Sequence, residues 1–264
     1  MKMKVFGLIG FPLGHSFSEK YFRDKFVKEK ISDCDYQLFP LQSIDEFTGL
    51  IQSRPDLAGL SVTIPYKEKV IPFLSDLDET AKAIGAVNCI RIIRTPAASG
   101  RSSTAHSEPR LIGYNTDAYG FSQSIKPFLE SRHQRALILG AGGAAKAVEH
   151  ALRKLGVDTL TVVRKPAPTK PGQLLYSEVN KNVLSSHLLI VNTTPLGTFP
   201  DVDDAPAIPY EFLGPDHLLY DLVYNPPETL FLKSGKARGA QTLNGLKMLE
   251  LQADRAFEIF NCSD

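Results

Sequence analysis

The chain has 264 residues, of which 43% are hydrophobic and 22% charged, enough for one large core or, as we expect, two. Its formal net charge of +1 offers no bulk attraction to nucleic acid or an anionic membrane, and no apolar run is long enough to span a membrane. Three cysteines without a Cys-x-x-Cys pair and six histidines without ligand spacing indicate neither a disulfide framework nor a metal site. We therefore expect a cytoplasmic enzyme that acts on a small molecule.

Five short apolar runs, separated by polar stretches that are compatible with helices, occur in the first part of the chain. They cover residues 5–9, 36–39, 57–64, 86–93 and 111–114. Such an alternation is typical of α/β proteins, so it predicts a domain with a mainly parallel sheet. Residues 95–110 lack hydrophobic periodicity and are rich in Ser, Pro and Ala, which predicts an exposed loop between two strands.

Polar side chains occur at the ends of these runs. Ser16 and Ser18 follow the first strand, where they could cap a helix, hold a ligand, or do both. Ser61 and Thr63 alternate with apolar residues, so their hydroxyls share one face of a strand end. Asn88 interrupts the fourth apolar run. These groups could hold a small polyhydroxy ligand.

A lysine and a short polar segment complete this set. Pro65 suits the first turn of a helix, and that helix would hold Lys67 near the carboxyl edge of the sheet, where open α/β sheets bind ligands. A single lysine in such a turn is usually solvated, so Lys67 alone does not indicate catalysis. Residues 115–117, Asn-Thr-Asp, follow the fifth strand and could form an Asx turn or contact a ligand.

A glycine-rich turn lies between a strand at residues 137–139 and a helix that begins near Lys146. The helix carries one apolar stripe and can end at Gly156. Gly140 permits the tight turn and Gly142 lets the backbone approach a pyrophosphate at the helix N-terminus. The order of strand, turn and helix predicts a dinucleotide site, and the alternative is a tight turn that binds nothing.

The end of the next strand, residues 158–163, indicates which dinucleotide binds. An NAD site would place a carboxylate there, but this chain has Arg164 and Lys165. A guanidinium suits a 2′-phosphate, and charge-assisted hydrogen bonds of about 1.5–3 kcal/mol would favour NADP by roughly 10- to 150-fold. The alternative is a solvated basic loop.

Two more apolar runs, at residues 188–192 and 218–223, would extend the sheet of a second domain. A final helix at residues 246–260 could return to the first domain. We therefore predict a domain of residues 1–116 plus 245–264 and a domain of residues 117–244. On the final helix Met248 could simply pack in the core, and Gln252 lies one turn further along the same side.

Seven segments of the chain resemble the shikimate dehydrogenase family and occur in that family's order. They read HSFSEKYF, GLSVTIPYKEKV, GAVNCI, GYNTDAYGF, LGAGGAAKA, NTTPLGT and NGLKMLELQADRAF. The segments cover nearly the whole chain, and a match in seven parts is far more specific than any single motif.

The resemblance implies an α/β protein of two domains: an N-terminal substrate-binding domain with a mainly parallel sheet, and a Rossmann domain that binds NADP. The site would lie in the cleft between them, and the C-terminal helix would return to the first domain. The family reduces 3-dehydroshikimate reversibly to shikimate with NADPH, in the pathway to chorismate and the aromatic amino acids. The expected partner is thus a small molecule, and the expected state is a monomer or homodimer.

The resemblance also implies residue roles. Lys67 and Asp117 would be the catalytic pair, with Lys67 donating the proton that the carbonyl oxygen needs after hydride transfer. Residues that would hold the substrate are Ser16, Ser18, Ser61, Thr63, Asn88, Tyr224 and Gln252. Residues that would hold the cofactor are Gly140, Ala141, Gly142, Gly143, Ala144, Arg164, Lys165, Thr193, Gly245 and Met248.

The chain departs from the family pattern at two places, and two other functions compete. Ser61 stands where many members have asparagine, and Val163 and Lys165 flank Arg164 where members have Asn and Thr. The strength of the preference for NADP over NAD therefore stays open. One alternative is a quinate/shikimate dehydrogenase that also accepts quinate or NAD. The other is a non-catalytic NADP-responsive protein, against which Lys67 and Asp117 argue because a sensor needs no proton donor.

Overall fold

A computed structural model describes residues 3–14, 17–94, 108–165 and 172–262. Ser16 and residues 95–107 of the predicted loop lie outside these ranges. The chain divides into two compact units, Met1–Thr116 with Ala253–Asp264, and Asp117–Gln252. In the described parts of the chain, no helix has both the length and the apolar character of a membrane span.

The first unit contains a six-stranded mixed sheet. Its strands are β1 (Lys4–Gly10), β2 (Cys34–Pro40), β3 (Leu57–Val62), β4 (Asp76–Leu77), β5 (Cys89–Ile93) and β6 (Arg110–Tyr114), and its helices are α1 (Phe17–Lys28), α2 (Glu46–Ser53) and α3 (Glu79–Ile84), with a 3-10 turn at Ile71–Phe73. The strand order is β2-β1-β3-β5-β6-β4, and only β5 runs antiparallel to its neighbours. Because β5 is reversed, its first residue lies at the same sheet edge as the last residues of β1, β3 and β6.

The second unit contains a six-stranded sheet in which all paired strands are parallel. Its strands are β7 (Arg135–Leu139), β8 (Asp158–Val163), β9 (Gln173–Leu175), β10 (Leu189–Asn192), β11 (Leu218–Asp221) and β12 (Gln241–Leu243). Its helices are α4 (Asp117–Ile125), α5 (Gly143–Lys154), α6 (Lys181–Ser186), α7 (Leu230–Lys236) and α8 (Leu246–Asn261). The last part of α8, from Ala253, belongs to the first unit. The second unit also has 3-10 turns at Lys126–Phe128, Tyr176–Glu178 and Tyr210–Phe212. The order β9-β8-β7-β10-β11-β12 is that of a Rossmann sheet, whose order reverses between β7 and β10. The predicted α/β class with two mainly parallel sheets is confirmed.

Apolar side chains cover both faces of the first sheet. One face packs against α2 through residues that include Ile9, Leu60 and Ile90. The other face packs against α1 and the end of α8, where the rings of Phe6 and Phe260 stack with their centroids 5.1 Å apart. Such aromatic contacts add to the burial of apolar area that stabilises the unit.

One local prediction is wrong: residues 64–70 form successive turns rather than the helix that was expected to carry Lys67. The physical reason is a competing long-range hydrogen bond. The carbonyl of Lys67 accepts from the amide of Val87 at 2.7 Å, so it does not bond to an amide of the next helical turn. A single 3-10 turn follows only at Ile71–Phe73.

Candidate functional site

In the first unit Asn88 connects the ends of three strands. Its carbonyl accepts from the amide of Val62 at 2.8 Å, and its own amide donates to the carbonyl of Tyr114 at 3.1 Å. Its side-chain oxygen accepts from the amide of Thr116 at 2.7 Å, and its side-chain nitrogen donates to the Thr116 hydroxyl at 3.0 Å. Asn88 is buried, so this network fixes the sheet edge and the chain that leads to Asp117.

Lys67 and Thr63 are attached to the same edge through their backbones. The Val87 amide that binds the Lys67 carbonyl belongs to the residue next to Asn88. The amide of Thr63 donates to the carbonyl of Ile9 at 2.9 Å, which continues the pairing of β1 and β3. Both side chains are half-buried. Thr63 and Asn88 therefore lie at strand ends, as the sequence pattern predicted, whereas Lys67 lies in the turns that follow β3.

A buried tyrosine that the sequence pattern did not indicate lies beside two of the predicted serines. Tyr36 is opposite Phe6 in register and Ser61 is opposite Leu8, so the two side chains share a face of the sheet. The Tyr36 ring is fully buried and stacks on Phe22 with centroids 4.4 Å apart. The sequence pattern did not indicate a functional role for Tyr36, because a tyrosine in an apolar run is typical of a core strand.

The Tyr36 hydroxyl is under-satisfied. Burial raises the pKa of Tyr36, while the hydroxyls of Ser61 and Ser18 lie near enough to lower it. Neither serine makes a hydrogen bond of standard geometry with that oxygen, which has no partner among the described residues. A buried hydroxyl without a partner costs free energy, and a polar ligand atom beside Ser18 and Ser61 would remove that cost.

In the second unit the turn after β7 fits a dinucleotide pyrophosphate. Gly140 has φ +111°, and a Cβ there would lie 2.7 Å from Oγ1 of Thr193, so glycine is required. A Cβ on Gly142 would meet nothing within 4 Å, which leaves open space beside the backbone. The first helical bond of α5 runs from the amide of Lys146 to the carbonyl of Gly142 at 3.1 Å. The amides of residues 143–145 consequently have no acceptor within the helix and can bind an anion.

Thr193 makes two hydrogen bonds to Leu139, the residue that precedes this turn. Its hydroxyl donates to the carbonyl of Leu139 at 2.7 Å, and its amide donates to the same oxygen at 3.0 Å. The hydroxyl hydrogen is thus used within the protein, so toward a ligand Thr193 offers only acceptor lone pairs.

The two predicted 2′-phosphate residues directly follow β8, and both are exposed. Arg164 lies near the 3-10 turn at Tyr176–Glu178. Burial raises the pKa of Tyr176, and the Arg164 guanidinium lowers it. The guanidinium is therefore at the end of β8, where a Rossmann site places the adenosine ribose.

The start of α8 is packed tightly against its own unit. The amide of Gly245 donates to the carbonyl of Val223 at 3.1 Å, and a Cβ on Gly245 would lie 2.1 Å from the carbonyl of Leu222. The carbonyl of Met248, a buried residue, would lie 2.5 Å from a Cβ on Gly120 of α4. Both glycines therefore permit close backbone approach.

Six further predicted residues belong to this unit. Asp117 opens α4 and is buried. Tyr224 and Gln252 are half-buried, and burial raises the pKa of Tyr224. Ala141 is exposed, and Gly143 and Ala144 are half-buried, beside the open space at Gly142.

A buried carboxylate lies at the end of β11 and was not singled out from the sequence. Asp221 is fully buried and accepts three hydrogen bonds, from the Thr229 hydroxyl at 2.6 Å, the Asn192 side-chain amide at 2.9 Å and the Val223 backbone amide at 3.0 Å. Burial raises the pKa of Asp221 to about 6, although these hydrogen bonds act in the opposite direction.

The raised pKa of Asp221 predicts a pH-dependent contribution to stability. Between about pH 4 and pH 6 the folded chain binds this proton more tightly than the unfolded chain, so the contribution falls as pH rises through that window and is constant above it. Relative to Asp221→Asn, the native protein should gain on the order of 2 kcal/mol in unfolding free energy between pH 7 and pH 4.5. Urea unfolding of both proteins at several pH values measures this difference. A difference that is flat or opposite in sign would contradict the prediction.

Comparisons with known proteins find relatives that are similar over nearly the whole chain. The family model for the shikimate dehydrogenase substrate binding domain matches residues 8–90. A shikimate dehydrogenase (NADP(+)) of Carboxydothermus hydrogenoformans is 39% identical, over 97% of this chain and 90% of the relative. A chorismate mutase/shikimate 5-dehydrogenase fusion protein from Clostridium acetobutylicum has a similar structure, with a TM-score of 0.83, 32% identity, and coverage of 99% and 92% of the two chains.

A second solved structure bears on the ligands. The shikimate 5-dehydrogenase of Thermus thermophilus, in complex with NADP(H) and shikimate, has a TM-score of 0.80 and 28% identity, and the match covers 98% of this chain and 94% of that one.

Proposed function

The chain belongs to the shikimate dehydrogenase family, and from this we propose that it reduces 3-dehydroshikimate reversibly to shikimate with NADPH, in the pathway to chorismate and the aromatic amino acids. The observation that carries the proposal is the 39% identity over 97% of the chain to an NADP-dependent member. The glycine turn of the second unit and the polar strand ends of the first are the features that this reaction requires.

Lys67 and Asp117 form the proposed catalytic pair. NADPH, when bound, supplies a hydride for the C3 carbonyl carbon of the substrate. Lys67 donates a proton to the carbonyl oxygen, and it accepts that proton in the reverse oxidation. Asp117 is the second member of the pair, as the resemblance implies, and orients a substrate hydroxyl. The hydrogen bond between the Lys67 carbonyl and Val87 supports this role, because it fixes the backbone from which the ammonium extends.

The substrate is held by hydroxyl and amide groups. Ser18, Ser61, Thr63 and Asn88 contribute from the first unit, with Ser16 as a further predicted member, and Tyr224 and Gln252 contribute as the resemblance implies. We add Tyr36 to this set, because its buried hydroxyl faces Ser18 and Ser61 and has no partner of standard geometry among the described residues.

The proposed NADP site follows the Rossmann geometry of the second unit. The amides that follow Gly142 bind the pyrophosphate, since they have no acceptor in α5. Arg164 and Lys165 bind the 2′-phosphate at the end of β8. Gly140, Ala141, Gly143, Ala144 and Thr193 shape the turn, and Gly245 and Met248 lie on the nicotinamide side.

Replacing Tyr36 with phenylalanine tests the substrate role of its hydroxyl. The change should stabilise the ligand-free protein by about 1 kcal/mol, because it removes a buried polar group without a partner. It should also raise the KM for shikimate by roughly 3- to 10-fold. Thermal unfolding and steady-state kinetics measure the two effects.

Tyr220→Phe is the matched control for Tyr36→Phe. The Tyr220 hydroxyl is also buried, but it lies 2.7 Å from the Ser124 hydroxyl. Its loss should destabilise the protein and leave the KM for shikimate unchanged. If Tyr36→Phe destabilised the protein without changing that KM, the hydroxyl would have a structural role only.

A steady-state assay of shikimate and quinate, each with NADP and NAD, tests the proposed function. We expect the highest kcat/KM with shikimate and NADP. A higher value with quinate or NAD would favour a quinate/shikimate dehydrogenase. Binding of NADP without turnover of either substrate would favour a non-catalytic NADP-responsive protein.

A further inference from the structure

Asp221 and Asn192 form a buried pair at the ends of adjacent strands. They lie opposite each other in the register of β11 and β10, and both are fully buried. The Asn192 side-chain nitrogen donates to Asp221, while its side-chain oxygen accepts from both the amide and the hydroxyl of Thr194, at 3.0 and 2.7 Å. A carboxylate can only accept, so it fixes which end of the Asn192 amide points to Thr194.

The turn that Asn192 holds lies directly against the glycine turn. A Cβ on Gly140 would lie 2.7 Å from Oγ1 of Thr193 and 3.1 Å from Cγ2 of Thr194. The position of residues 193–194 therefore limits where the backbone at Gly140 can lie. A shift of either threonine would move the amides that are proposed to bind the pyrophosphate.

The same carboxylate has a second branch. Asp221 accepts from the amide of Val223, and the carbonyl of Val223 accepts from the amide of Gly245 at 3.1 Å. Tyr224 is the next residue along the chain. The Asp221 carboxylate is thus connected to two segments. Through Asn192 it is connected to Thr194, beside the glycine turn, and through Val223 to Gly245 at the start of α8.

We propose that Asp221 is a positioning residue for the NADP site, acting through Asn192 on the Thr193–Thr194 turn and through Val223 on Tyr224 and Gly245. This inference rests on the proposed function. Within the described residues no Lys, Arg or His pairs with Asp221, and its partners are the three neutral donors. A buried carboxylate without a cation is unfavourable for stability, so stability alone does not explain an ionisable group there.

The test compares variants of Asp221 and of its Asn192 branch with a variant of another residue that donates to the same carboxylate. Asp221→Asn removes the charge with little change in shape. Thr194→Val removes the hydroxyl that donates to Asn192 and that also accepts, at 3.4 Å, from the amide of Leu196. Thr229→Val is the matched control. Thr229 is nearly as deeply buried and donates to Asp221, and its hydroxyl also caps α7 by accepting from the amide of Leu232.

NADPH affinity is measured by nicotinamide fluorescence at a temperature where all variants are folded. The Kd should rise about tenfold in Asp221→Asn and about threefold in Thr194→Val, and less than twofold in Thr229→Val, despite its loss of stability. Equal weakening in Thr229→Val and Asp221→Asn would overturn the proposal, because it would make the effect a general loss of stability. Native affinity in Asp221→Asn, or in Thr194→Val if Asp221→Asn does not fold, would also overturn it.

Hydrogen exchange of the ligand-free protein separates this inference from the proposed function. The amides of Thr194 and Val223 should exchange faster in Asp221→Asn than in the native protein, since the first bonds to Asn192 and the second to Asp221. Unchanged exchange at Thr194 would overturn the link between Asp221 and the turn, whatever the protein catalyses. If the native protein does not turn over shikimate but binds NADPH with the Kd changes above, the proposed function fails and the positioning role stands.

Discussion

Replacing Lys67 with alanine is expected to lower turnover by roughly 10²–10⁴-fold while the KM for shikimate changes little. A proton donor acts on the charge that develops on the carbonyl oxygen, so its loss affects the transition state more than the bound substrate. The fold should survive the change, because the long-range contact of Lys67 is made by its backbone carbonyl to Val87. The measurement is turnover at saturating shikimate and NADP.

Two controls give this experiment its specificity. Lys69 lies in the same run of turns and is exposed, so Lys69→Ala should keep native turnover. Thr63→Ala should raise the KM for shikimate with little change in turnover, as expected for a group that only binds substrate. Near-normal turnover in a correctly folded Lys67→Ala protein would remove Lys67 from the mechanism, and Asp117 or a bound water would then be the better candidate.

The short apolar runs predicted most of the strands. The predicted strand at residues 158–163 has the bounds of β8, and the helix after the glycine turn ends before Gly156, which has a positive φ of 78°. The strands β4, β9 and β12 were missed, because two or three residues are too few for any period to show. The reversal of β5 was also missed, since periodicity carries no information on strand direction.

The sequence predicts candidate site residues where the pattern is local, and it carries no signal for residues whose contacts are distant along the chain. The turn at Gly140 and the arginine after β8 are local patterns. The helix expected at Lys67 is wrong because of a hydrogen bond to Val87, 20 residues away. Tyr36 and Asp221 were missed because their importance lies in partners that only the folded chain brings near them.

Replacing Arg164 with alanine should weaken NADP binding by roughly 10- to 150-fold and leave NAD binding nearly unchanged. The guanidinium makes charge-assisted hydrogen bonds to a 2′-phosphate, and NAD has no such group. Titration with 2′,5′-ADP and with 5′-AMP isolates this phosphate from the rest of the cofactor. Only the affinity for 2′,5′-ADP should fall.

Neighbouring substitutions distinguish a phosphate site from a solvated basic loop. Arg164→Lys keeps the charge but loses the planar fork, so it should restore only part of the affinity. Lys165→Ala should have a smaller effect than Arg164→Ala. Equal losses for NADP and NAD in Arg164→Ala would mean that Arg164 does not recognise the 2′-phosphate.

Tyr176, which lies near Arg164 in the folded chain, provides the last control. The guanidinium lies near the half-buried phenol of Tyr176, so Arg164→Ala could act through this ring rather than through the phosphate. Tyr176→Phe alters the phenol and leaves the guanidinium in place. If Arg164 binds the 2′-phosphate directly, Tyr176→Phe should change the NADP Kd by less than about twofold, because the Tyr176 hydroxyl has no hydrogen-bond partner among the described residues. A loss as large as that in Arg164→Ala would instead make the ring, and the 3-10 turn that carries it, the feature on which the affinity depends.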